Sequence, residues 1–126
     1  FSIDLRVTTV ADGIEMERRI LSLEPRDRDV AMKITGGMNR PPYEKSTAVA
    51  GLFLHAQTLA ARIGIDLEDV PMTGGGSDGN FTAALGVPTL DGLGIDGDGA
   101  HTLQEYALIS SIAPRRALIR ALLETV

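Results

Sequence analysis

The 126-residue sequence predicts an α/β fold, and three patterns carry that expectation. Stretches in which apolar and polar residues alternate, the period of a half-buried strand, interleave with stretches whose apolar residues recur at helical spacing. The interleaving runs through both halves of the chain, as it does where helices cover a sheet. Glycine-rich segments at 74–79 and 92–99 fall between the later elements, where connections belong.

Phe1, Ile3, Leu5 and Val7 alternate with Ser2, Asp4 and Arg6, which predicts a strand over residues 1–7. A strand beginning at the first residue, with no methionine, reads as a segment whose upstream part is missing. Met16, Ile20 and Leu23 stand at i, i+4 and i+7 and predict a helix from about 12 to 23, stopped by Pro25. Val30, Met32 and Ile34 alternate with Ala31 and Lys33 as a second strand. Gly36 and Gly37 follow, and the two prolines of Arg40-Pro41-Pro42 force an extended backbone. A junction is expected around 39–46, giving domains of residues 1–45 and 46–126.

Beyond it, Val49, Leu52, Phe53, Ala56, Leu59, Ala60 and Ile63 form one apolar helical stripe, capped by Ser46 or Thr47 and ended by Gly64. A short apolar segment at 70–72 leads to the loop Thr73-Gly74-Gly75-Gly76-Ser77-Asp78-Gly79. A short helix over about 80–85 ends at Gly86, and residues 87–90 read as a strand. The final helix is expected from about Ser111, with Pro114 in its first turn and Ile112, Leu118, Ile119, Leu122 and Leu123 buried.

Composition excludes several classes. A net charge of −5 with both signs interspersed leaves no basic footprint for nucleic acid. No apolar run approaches the roughly 20 residues that cross a bilayer, and no stretch has the build of a signal peptide. With no cysteine there is no disulfide framework, a feature that fits the cytoplasm, and any zinc must sit on His, Asp or Glu.

Five features are candidates for chemistry. Residues 74–79 match G-x-G-x-x-G between a strand and a helix, the dinucleotide pattern. The brevity of that helix, Asp78 inside the loop and the mid-chain position count against a pyrophosphate. Glycines that bring peptide N–H groups close to a ligand suit a carboxylate instead; a tight turn with no ligand is the plain alternative. Asp91, Asp96 and Asp98 lack the closing Glu of a calcium loop, so a solvated loop fits them better. His101 follows a glycine-rich stretch after a strand, where α/β ligands gather, although a lone histidine does not make a metal site. His55, at the edge of the long helix's apolar stripe, reads as a surface residue. Arg40, stiffened by two prolines, suits bidentate recognition of a carboxylate, or is a surface cation on a connector.

Taken in order, Thr73-Gly74-Gly75-Gly76-Ser77-Asp78-Gly79-Asn80-Phe81, then Ala84-Leu85-Gly86-Val87-Pro88, Gly92-Leu93-Gly94, Gly99-Ala100-His101-Thr102 and Glu105-Tyr106 before a closing helix, the sequence resembles the C-terminal region of a metallopeptidase family. That family comprises the zinc glutamate carboxypeptidases, acetylornithine deacetylases and succinyl-diaminopimelate desuccinylases. The resemblance implies the C-terminal part of a catalytic α/β domain over 46–126, preceded by the latter half of a ferredoxin-like lid or dimerisation domain over 1–45. It makes His101 the last zinc ligand, Gly75, Gly76 and Ser77 the loop that contacts the substrate carboxylate, and Arg40 the lid arginine that binds the same group. It implies two zinc ions about 3.5–4 Å apart that activate a bridging water, hydrolysis of a peptide or N-acyl amino acid with a free carboxylate, and a homodimer formed through the lid. The remaining ligands and the catalytic Glu are expected upstream, so the segment alone is expected to be inactive. The alternatives are a carboxylate-binding or dimerisation module that has lost its metals, and a nucleotide-binding oxidoreductase.

Overall fold

The structure is a computed structural model that describes residues 1–70 and 72–126. The described residues form four helices and one two-stranded sheet, compatible with an α/β fragment: α1 Val10–Leu21, α2 Thr47–Arg62, α3 Gly79–Ala84, β1 Gly97–Asp98, β2 Tyr106–Ala107 and α4 Ile109–Thr125. The chain divides into two compact units, Phe1–Lys45 with Met72–Val87, and Ser46–Pro71 with Pro88–Val126.

In the first unit, α1 starts where Thr9 takes an extended backbone and its hydroxyl accepts the Asp12 N–H at 3.0 Å. Gly13 is buried, and a Cβ there would overlap the Met38 side chain. The unit is tied together by side chains that reach distant backbone. The Val10 N–H donates to Glu44 Oε1 (2.6 Å), the Met38 N–H to Glu17 Oε2 (2.8 Å), and Arg6 Nη1 to the Gly74 carbonyl (2.7 Å).

The second unit holds the apolar core. On α2, Ala56, Leu59 and Ala60 pack with Leu118 and Leu122 of α4 and with Leu67, while Phe53, Ile65, Leu90 and Leu93 cover the edge. Helix α2 begins at Ser46, whose hydroxyl accepts the Val49 N–H. It ends in a Schellman arrangement: Ile65 N–H donates to Ala60 O (3.0 Å), Gly64 N–H to Ala61 O (3.3 Å), and Gly64 carries the left-handed φ of 73°. Both ends fall where the cap residues and the apolar stripe predict.

Three expectations need correction. The segments 1–7, 30–34 and 87–90 form no ladder among the described residues, because alternation marks an amphipathic extended segment while a strand also needs a hydrogen-bonded neighbour. The segment expected at 70–72 contains Pro71, which lies outside the described residues. Helix α4 starts at Ile109, two residues early, so Pro114 lies in its second turn and removes a helical hydrogen bond. The buried face of α4 is Ser111, Leu118 and Leu122, at i, i+7 and i+11; Ile112, Ile119 and Leu123 point to its exposed side. The β1–β2 hairpin is new, pairing Gly97 with Ala107 and Asp98 with Tyr106.

Candidate active site

The glycine-rich loop lies in the first unit, together with Arg40. Thirty-six positions separate Arg40 from Gly76 in the sequence, yet the two touch. A Cβ placed on Gly76 would stand 3.2 Å from Arg40 Cδ and 3.4 Å from Nη1. A side chain at this position would press the arginine away from the loop by a few tenths of an ångström. The guanidinium carbon sits 4.9 Å from the centroid of the Phe81 ring, within the range of a cation–π contact. Nη2 reaches Asp78 Oδ1 at 3.4 Å. The Asp78 side chain is 96% exposed, so this pair contributes about 0–1 kcal/mol at most and yields readily to a better anion.

The loop is shaped by its own hydrogen bonds. The Ser77 hydroxyl accepts the Gly79 N–H (3.1 Å), and the Ser77 N–H donates to Asn80 Oδ1 (3.0 Å). Among the described residues, the N–H groups of Gly75 and Gly76 donate to no partner. A cation therefore lies at the corner it makes with Gly76, in a loop whose Gly75 and Gly76 N–H groups have no partner among the described residues and whose Ser77 hydroxyl hydrogen can still donate. Such a corner is complementary to a carboxylate.

His101 lies in the second unit, in the loop between β1 and β2. Its side chain is exposed, and its backbone has φ +67°, the one non-glycine residue at positive φ among those described. Its N–H donates to Glu105 Oε2 at 3.2 Å. Holding a non-glycine residue in the left-handed region costs on the order of 1–3 kcal/mol, and such strain clusters at functional positions. The hairpin is clamped to α4 beside it. Asp96 Oδ1 takes Arg115 Nη2 at 2.5 Å, the Asp96 N–H donates to the Ser111 hydroxyl (2.9 Å), and that hydroxyl donates to the Leu108 carbonyl (2.6 Å). Asp96 is thus paired with an arginine while its side chain stays exposed, and the Asp98 carboxylate caps the Gly99 N–H at 2.7 Å. These bonds organise a stretch that the sequence alone reads as a loose loop. His55 hydrogen-bonds Thr125 across α2 and α4 (2.7 Å), a structural role.

Among the described residues no three His, Cys, Asp or Glu side chains come together as a metal site. A zinc ion takes three or four protein ligands, so the described residues do not by themselves fit a zinc centre; His101 offers one imidazole. Among the same residues no helix is long and apolar enough to cross a membrane.

The class to which this sequence belongs is that of the peptidases, since the model described as Peptidase family M20/M25/M40 matches residues 4–125. The chain belongs to that family, a group of hydrolases that are generally metal-dependent. No curated protein and no solved structure matches it.

Asn80 and Phe81 stand in the sequence only as the end of the run that carries the resemblance, with no contact to the arginine segment expected for either. The only available signal was their place directly after the glycine-rich loop.

Proposed function

We propose that the intact protein hydrolyses the amide bond of a peptide or N-acyl amino acid that carries a free carboxylate, as a carboxypeptidase or deacylase. One observation carries the reading: Arg40 lies against Gly76, in a loop whose Gly75 and Gly76 N–H groups have no partner among the described residues. Arg40, Gly75, Gly76 and Ser77 hold the substrate's carboxylate in this scheme, which fixes the scissile amide at a set distance from it. A guanidinium stiffened by prolines and pressed against a ring loses little freedom on binding, so its charge goes into selectivity for carboxylate over amide. His101 supplies one ligand of a pair of zinc ions, and its strained backbone at an exposed hairpin loop supports a functional role for it. When bound, the metal pair would polarise the amide carbonyl and lower the pKa of a bridging water. The 126 residues alone are inactive in this scheme, and a homodimer forms through residues 1–45.

The test uses the complete parent protein, measuring bound metal and the release of amino acid from N-acyl substrates, with His101→Ala alongside. Support would be about two zinc ions per chain, with His101→Ala costing more activity than the roughly 10–100-fold that outer-shell partners cost. No metal and no hydrolysis would leave a non-catalytic carboxylate-binding or dimerisation module and would overturn the proposal.

A further inference from the structure

We propose that Asn80 is a positioning residue for the carboxylate corner: its carboxamide ties the Arg40 segment to the glycine-rich loop and sets the distance between the guanidinium and the loop's free N–H groups. The inference rests on the carboxylate-binding role proposed above.

Asn80 Oδ1 accepts the Ser77 N–H at 3.0 Å, while Nδ2 donates to the Pro41 carbonyl at 2.7 Å. Ser77 follows Gly76 directly and Pro41 follows Arg40 directly, so one planar group spans the two halves of the corner. Both bonds are partly buried, where an amide hydrogen bond is worth more than in water. Pro41 and Pro42 have no N–H, so neither can donate to the loop, and each offers a neighbour only its carbonyl. A tie to this segment therefore runs through a donor to that carbonyl, and the loop N–H needs an acceptor. Asparagine carries both on one short side chain. Aspartate has the same shape but would turn an oxygen toward the Pro41 carbonyl, and alanine would leave both groups unpaired. The Arg40 side chain itself is held by the exposed Asp78 pair and by the Phe81 ring. Phe81 is the next residue of α3, so the turn that aims the Asn80 carboxamide also delivers the ring beneath the guanidinium.

The experiment measures binding of an N-acetyl amino acid and of its C-terminal amide to the intact parent protein by calorimetry. The proteins are wild type, Arg40→Ala, Asn80→Ala, Asn80→Asp and the Arg40→Ala/Asn80→Ala double variant. Loss of one or two hydrogen bonds predicts that both Asn80 variants bind the carboxylate ligand about tenfold more weakly. Their affinity for the amide should stay within about twofold, a split that general loss of folded protein would not produce. The double variant should bind no more weakly than Arg40→Ala alone, because Asn80 acts through Arg40. The Asp variant keeps the side chain's shape and guards against an alanine variant that fails to fold. If Arg40→Ala abolishes the preference for carboxylate over amide while both Asn80 variants keep it, the positioning role is overturned and the carboxylate site stands. If Arg40→Ala leaves the preference intact, the carboxylate site fails, and the role of Asn80 fails with it.

Discussion

The two units of this chain are held together by different forces. Every buried apolar side chain among the described residues (Val49, Ala56, Leu59, Ala60, Leu67, Leu118 and Leu122) belongs to the second unit. In the first, Gly13 alone is buried, and the large apolar residues Phe1, Ile3, Leu5, Val30 and Met32 are exposed. What organises the first unit is a set of side chains bonded to backbone far along the chain: Arg6 to Gly74, Glu17 to Met38, Glu44 to Val10 and Asn80 to Pro41. Each such bond contributes about 0.5–1.5 kcal/mol net, while a core leucine contributes several times that. The comparison teaches where each proposed function can sit. A binding corner assembled from polar ties can be retuned by one substitution, whereas the hairpin of His101 stands on a packed helix pair.

The largest expected effect breaks the second unit alone. Leu118 is fully buried between α2 and α4, and Leu118→Ala should cost about 3 kcal/mol. Chemical denaturation followed by amide exchange should show α2 and α4 losing protection, with α1 little changed. Equal loss in α1 would mean that the two units unfold together. A smaller and more local effect is expected at Gly97, where a Cβ would collide with the Tyr106 carbonyl oxygen across the hairpin. Gly97→Ala should cost about 1–3 kcal/mol as overpacking and abolish the cross-strand contact between residues 97 and 107 in an NMR spectrum. Persistence of that contact would show that the hairpin does not need its glycine.

The smallest effect concerns α1. Hydrogen bonds from Arg18 and then Arg19 lower the Glu15 carboxyl from 4.5 to about 2. A lowered folded-state pKa adds stability that is present above the unfolded value and is lost as pH falls from about 4.5 through about 2. The cluster is exposed, so the gain is slight and is screened by salt. An NMR titration should find the Glu15 midpoint near 2, and Glu15→Gln should remove that part of the acid dependence of α1 helicity. A midpoint at the ordinary carboxylate value would show that the two arginines do not hold the side chain.

Legibility follows the same division. Helix α2 was readable to within a residue at each end, because a cap at Ser46 or Thr47, an apolar stripe and Gly64 are signals confined to neighbouring positions. Helix α1 was readable with its boundaries shifted by two residues. The expected strands at 1–7 and 30–34 were not, since their alternation says which side is apolar and nothing about a partner. The hairpin at 97–107 carried no strand signal at all, because glycine and aspartate are poor strand formers and pairing is settled by contact with α4.

By itself, then, the sequence determined the presence of the helices, the cap and end of α2, and the residue types from which a carboxylate corner and a metal ligand could be built, since each of these depends on spacing along the chain. Only the tertiary structure decided that Arg40 meets Gly76, that Asn80 joins them, and that His101 sits on a strained hairpin clamped by Asp96 and Arg115. Such contacts join positions up to 39 residues apart. Hydrogen bonds to backbone atoms leave no periodic trace in the sequence, so the folded chain is where they first become visible.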